Sequence, residues 1–108
     1  LVTGGKGLVG SAIKADIKLG REYDLKNPQE ANKAIQYHKP THIIHCAGKV
    51  GGVGGNMNYK GEYFYDNLMI NTNVIEAARK GGVKNLVCFL STSIVVKFLV
   101  LIIFSDLK

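Results

Sequence analysis

Three glycines set three apart, Gly4, Gly7 and Gly10, lie in the opening run Leu-Val-Thr-Gly-Gly-Lys-Gly-Leu-Val-Gly and restrict what can follow the first strand. Leu1 and Val2 are apolar and strand-forming, whereas Leu8, Val9, Ala12, Ile13 and Ile17 recur at helical spacing, so the glycines fall at a strand-to-helix junction. At such a junction Gly4 lets the chain turn off the strand. Gly7 lets backbone N–H groups approach a pyrophosphate, and Gly10 lets the helix pack closely on the sheet. A dinucleotide-binding turn is therefore expected, with a purely structural turn as the alternative. A nucleoside-triphosphate loop is excluded, because Gly10 is followed directly by Ser11 with no lysine between them.

Downstream, strands and helices alternate. Gly20 is expected to close the first helix, and Arg21 to Leu25 leaves room for only a stub of strand. The unit from Leu1 to Leu25 has 25 residues, short of the ~30 that a strand-helix-strand unit takes. Asn27-Pro28 with Gln29 and Glu30 reads as a helix start, and Ala31, Ala34, Ile35 and His38 give that helix an apolar side before Pro40 stops it. Thr41 to Ala47 reads as a buried strand. The segment Gly48 to Gly55 then has five glycines in eight residues and forms a second expected ligand loop.

A long helix is predicted over Glu62 to Lys80, its buried side carrying Phe64, Leu68, Ile70, Asn71, Val74, Ile75, Ala77 and Ala78, and Gly81-Gly82 ending it. Asn85 to Leu90 is a continuous apolar strand with Ser91-Thr92-Ser93 at its carboxyl end. This alternation gives an α/β fold with a doubly wound parallel sheet. The run Ile94 to Phe104 is almost wholly apolar, broken only by Lys97, and too short to cross a bilayer as a helix of about 20 residues. As an exposed strand it would be prone to aggregate.

Composition narrows the function classes. A formal charge of +6 attracts phosphate-bearing partners, but the lysines form no basic run, so a nucleotide is favoured over nucleic acid. Cys46 and Cys88 lie in apolar runs and read as small buried hydrophobes, consistent with a reducing, cytoplasmic setting. No membrane association is expected. His38, His42 and His45 show no metal-ligand spacing, and His42 and His45 read as ordinary strand positions. The chain begins inside a strand without an initiator methionine, as a piece of a longer protein would.

Four segments, Thr-Gly-Gly-Lys-Gly-Leu-Val-Gly-Ser-Ala-Ile, Pro-Thr-His-Ile-Ile-His-Cys-Ala-Gly-Lys-Val-Gly-Gly, Asn-Leu-Met-Ile-Asn-Thr-Asn-Val-Ile and Leu-Ser-Thr-Ser-Ile, together resemble the GDP-L-fucose synthases of the extended short-chain dehydrogenases. The resemblance covers residues 1–94, a partial NADP-binding, Rossmann-like domain with an incomplete sheet; residues 95–108 form an apolar tail outside it. It implies an NADP(H)-dependent enzyme that epimerises GDP-4-keto-6-deoxy-mannose and reduces it to GDP-L-fucose, commonly as a homodimer whose interface includes the helix matching Glu62 to Lys80. By the same resemblance Gly4, Lys6, Gly7, Leu8, Val9 and Gly10 line the cofactor phosphates, and Ala47, Gly48 and Lys49 border the adenosine and ribose. Arg21 and Lys6 are the candidates for a 2′-phosphate. Ser91 matches a catalytic serine, and Ser93 stands where the family has an acid/base cysteine.

Two departures bear on activity. The family's Tyr-x-x-x-Lys dyad has no counterpart after Ser91, where no tyrosine occurs. A serine hydroxyl at position 93 is also a far poorer proton carrier than a thiol. The 108 residues are therefore expected to bind cofactor without completing the reaction. A non-catalytic nucleotide-binding module, or a remnant that associates through its apolar tail, is the alternative.

Overall fold

The computed structural model describes residues 1–48, 60–91 and 99–105. Strand β1 (Val2–Thr3) leads through the glycine turn into helix α1 (Leu8–Ala12). Helix α2 (Pro28–His38), strand β2 (His42–His45), helix α3 (Lys60–Lys80), strand β3 (Asn85–Ser91) and strand β4 (Leu99–Ser105) follow. The sheet order is β1-β2-β3-β4, with β1, β2 and β3 parallel and β4 antiparallel to β3. The expected α/β architecture is present, and part of the expected apolar tail is its fourth strand.

The first unit is shorter than its periodicity suggests. Helix α1 ends at Ala12 because Ile13 is already extended (φ −90°, ψ 131°), so Gly20 closes no helix. The chain then runs back beside β1 at Ile17 to Leu19, ahead of the expected stub at Arg21 to Leu25. Val2 N–H donates to Ile17 O (2.9 Å) and Leu19 N–H to Val2 O (2.8 Å), leaving a single parallel bridge, Val2 with Lys18. With so few residues available, pairing with β1 outcompetes a second helical turn. The stub and β2 therefore flank β1 on opposite sides, and the chain reverses direction across the sheet at β1.

Both long helices follow local rules. Asn27 caps α2 by accepting from Gln29 N–H at 2.9 Å, Pro28 supplies a preset φ, and Lys39 ends the helix in the left-handed region. At the end of α3, Val83 N–H reaches Ala78 O (3.0 Å) and Gly82 N–H reaches Arg79 O (3.3 Å), with Gly82 at φ +71°. This is a Schellman cap, and it needs the glycine. The core joins Ala31 and Ile35 of α2, Ile70, Val74, Ala77 and Ala78 of α3, and Ile43, Leu86 and Cys88 of the sheet. Ile70, Val74, Ala77 and Ala78 of α3 are buried as expected, but the first turns differ. Phe64 and Leu68 are 71% and 51% exposed, whereas Asp66 and Asn73 are buried. Asn73 Nδ2 donates to the carbonyls of Leu25 (3.0 Å) and Lys26 (2.9 Å), tying the helix to the corner beyond the stub.

Candidate functional site

Where the chain reverses, the carboxyl ends of β1 and β2 lie side by side, and open parallel sheets usually take their ligands at such a point. Thr3 ends β1, and Gly4 turns the chain at φ +65°. A Cβ on Gly4 would lie 2.8 Å from Ala47 N and 2.9 Å from Ala47 Cα, so the two loops close against each other backbone to backbone. Gly10 has the packing role: a Cβ there would overlap the Gly4 carbonyl oxygen. Gly5 was not anticipated from the sequence; it is buried against the stub, its N–H donating to Leu19 O at 2.9 Å. Gly7, the N-cap of α1, has no side-chain cap, and its N–H donates to Gly4 O at 3.0 Å. The rim of the turn thus exposes Lys6, Gly7 and Val9, with Leu8 opening the helix between them.

Beneath the turn, Thr3 Oγ1 accepts from Cys46 N–H (3.0 Å) and Ala47 N–H (3.1 Å) and lies 2.6 Å from His45 Nδ1. His45 Nε2 lies 2.8 Å from Asn71 Oδ1 on α3. Burial holds the His45 ring neutral by lowering its pKa to about 4, against a weaker opposing effect of Asn71. His45 is a strand position, as expected, but one with partners at both nitrogens. Helix α3 also brings Asn67 beside Gly48, its Oδ1 3.3 Å from where a Gly48 Cβ would stand. The sequence pattern places Asn71 on the buried side of this helix, but Asn67, one turn earlier, was missed.

The corner after the stub gathers the charged candidates. Gly20 N–H donates to both carboxylate oxygens of Glu22 at 2.9 Å. That bond, the Glu22 N–H and nearby Lys6 hold the carboxyl below the ordinary glutamate range. Lys6 Cε lies 3.5 Å from where a Gly20 Cβ would stand, so Lys6 and exposed Arg21 share one corner with Glu22. Ser91 ends β3, its backbone paired with Leu99. Lys49 and Ser93 lie outside the described residues.

The histidines and cysteines are otherwise engaged. His42 pairs through Nδ1 with Thr41 Oγ1 (2.9 Å) and through Nε2 with Asn85 Nδ2 (3.1 Å). Among the described residues no three His, Cys, Asp or Glu side chains gather as a metal site. Cys46 stands one residue past β2 and is only half-buried, whereas Cys88 is buried within β3; burial raises both thiol pKa values.

Known proteins agree with this architecture. The sequence profile of the NAD dependent epimerase/dehydratase family matches residues 1–97. The chain is 39% identical to the GDP-L-fucose synthase of Dictyostelium discoideum and 40% identical to the probable GDP-L-fucose synthase of Drosophila melanogaster, over 87% of its own length. A GDP-L-fucose synthetase from Naegleria fowleri, solved bound to NADP, superposes with a TM-score of 0.73 and 35% identity over 84% of the chain. In all three comparisons the chain spans about one third of the relative's length (33%). On these grounds the chain belongs to the NAD dependent epimerase/dehydratase family.

Proposed function

We propose that this chain is the NADP(H)-binding part of an enzyme of the GDP-L-fucose synthase type. The observation that carries the reading is the closure of Gly4 on Ala47 at the point where the chain reverses across the sheet. That closure builds a side-chain-free cradle at the strand ends, and a phosphate chain needs such a cradle to approach backbone N–H groups. For the diphosphate, Gly4 and Gly10 let the turn close tightly, Gly7 opens α1 without a side chain, and Leu8 and Val9 carry the first N–H groups of α1. Lys6 and Arg21 supply cations for a 2′-phosphate. Ala47, Gly48 and Lys49 border the adenosine side, and the Ala47 N–H, already donated to Thr3, leaves that residue to contact ligand through its methyl group and carbonyl.

The cofactor would supply a hydride for reduction of a 4-keto sugar. In the GDP-4-keto-6-deoxy-mannose reaction, Ser91 would hold the ketone oxygen from the end of β3. Ser93, in the place of the relatives' acid/base cysteine, would be a poor proton carrier near neutral pH. The 108 residues contain no Tyr-x-x-x-Lys after Ser91, so we assign them cofactor binding and not turnover. A cytoplasmic setting and a homodimeric full-length enzyme go with this reading. Among the described residues no helix is long and apolar enough to cross a membrane.

Calorimetric titration of the 108-residue chain with NADPH, NADH and GDP tests the reading. Saturable binding of NADPH, tighter than that of NADH and without oxidation of cofactor in the presence of the keto sugar, is expected. Absence of NADPH binding by folded protein would overturn it.

A further inference from the structure

The group beneath the glycine turn meets the expected ligand positions only at the Ala47 N–H, and its hydrogen bonds run in one direction. A threonine hydroxyl has one proton and two lone pairs. Thr3 Oγ1 accepts from Ala47 N–H and from Cys46 N–H, which it shares with the Thr3 carbonyl oxygen (3.3 Å), leaving the hydroxyl proton for His45 Nδ1, 2.6 Å away. His45 Nδ1 is therefore an acceptor, the neutral ring carries its proton on Nε2, and that N–H donates to Asn71 Oδ1 at 2.8 Å. Thr3 and His45 are 1% and 0% exposed, so no water can take the place of a lost partner without rearrangement.

Each member stands where a shift would be felt at the closed turn. Thr3 immediately precedes Gly4, and Cys46 and Ala47 lead the chain out of β2 into the second loop. Asn71 is one turn along α3 from Asn67, which lies beside Gly48. We propose that Thr3, His45 and Asn71 are positioning residues that pin the glycine turn, the exit of β2 and helix α3 in one register, thereby fixing how Gly4 seats against Ala47 where NADP(H) would bind. This inference rests on the cofactor reading above. It adds that the seat of Gly4 on Ala47 is held by a buried, one-directional Thr→His→Asn array in which the hydroxyl of Thr3 is the pin.

The substitutions that test it are Thr3→Val, which keeps the shape and removes the hydroxyl, Thr3→Ser, which restores it, and Asn71→Ala, which cuts the array at the helix. NADPH affinity of the whole 108-residue chain is measured well below each variant's melting temperature, and the His45 tautomer is read from ¹⁵N chemical shifts. The expected result is NADPH binding about tenfold weaker in Thr3→Val and Asn71→Ala and recovered in Thr3→Ser, with the wild-type ring protonated at Nε2. A purely structural role would lower the melting temperature and leave the affinity of the folded variants unchanged, which overturns the proposal. A wild-type His45 protonated at Nδ1 overturns it equally. Should Thr3→Val fail to fold, Asn71→Ala and the tautomer decide the matter. Wild-type protein that binds no NADPH overturns the cofactor reading, and the array is then judged by the tautomer and by displacement of the Gly4 and Ala47 amide signals in Asn71→Ala.

Discussion

The two faces of the sheet are built from neighbouring residues of the same strands and have different surroundings. Ile43, His45, Leu86 and Cys88 point into the layer under α2 and α3 and are all but inaccessible. One residue along, Ile44, Val87 and Phe89 are only partly buried, and Ile103, in register with Val87, is 63% exposed. The apolar content of the strands matches a sheet covered on both sides, whereas the long helices described here cover one side. Stability should therefore reside in one face, and apolar association in the other.

The sharpest break in this comparison comes from truncating adjacent residues of β3. Leu86→Ala opens a cavity in the covered face and should cost about 3 kcal/mol, whereas Val87→Ala should cost about 1 kcal/mol or less. Urea midpoints for the two variants check this, and equal losses would refute the distinction.

Acid should act on the covered face through His45. The unfolded ring takes up a proton near pH 6.5, but the folded ring refuses it until about pH 4. Its contribution to stability is therefore complete above about pH 6.5 and lost as pH falls toward 4, on the order of 3 kcal/mol in total. Denaturation of wild type and His45→Gln at matched pH should show a steeper acid decline in the wild type.

Asn73→Ala leaves the Leu25 and Lys26 carbonyls without their shared donor and should cost about 2 kcal/mol. Faster hydrogen exchange from Lys18 to Lys26 would accompany the loss. On the open face, Ile103→Thr should change stability by no more than about 0.5 kcal/mol. It should still reduce concentration-dependent light scattering, which is the readout that sharpens the contrast between the faces.

What could be read from the sequence divides along similar lines. Local signals were decisive: Asn27-Pro28 start α2, Gly81-Gly82 end α3, and the Gly4–Gly10 spacing marks the turn at β1. Signals that depend on tertiary competition were not. Ile13 and Ile17 continue a helical period, yet they are drawn into an extended path because β1 needs a neighbour and few residues remain to supply one. Phe64 and Leu68 look like core by hydropathy, but Asp66 and Asn73 occupy the inward side of α3, where strand ends and corners present hydrogen-bonding groups. In the site, the glycines carried their own geometric reason. The Thr3–His45–Asn71 array joins residues about forty and then about twenty-five positions apart, and no local pattern marks it.

The pairing of β3 with both a parallel and an antiparallel neighbour also orders events in time. β4 meets β3 across a short connection, so loop closure costs little and this ribbon can form early with the helices. β1 finds β2 only after the two intervening helices and their connections have been gathered in, and the glycine turn has no wall to close against until Ala47 is in place. Pulse-labelled amides should therefore become protected first in β3 and α3 and last around Gly4 and Gly5. Among the described segments the glycine turn is completed last, so any ligand that needs the closed turn has to wait until Ala47 is in place.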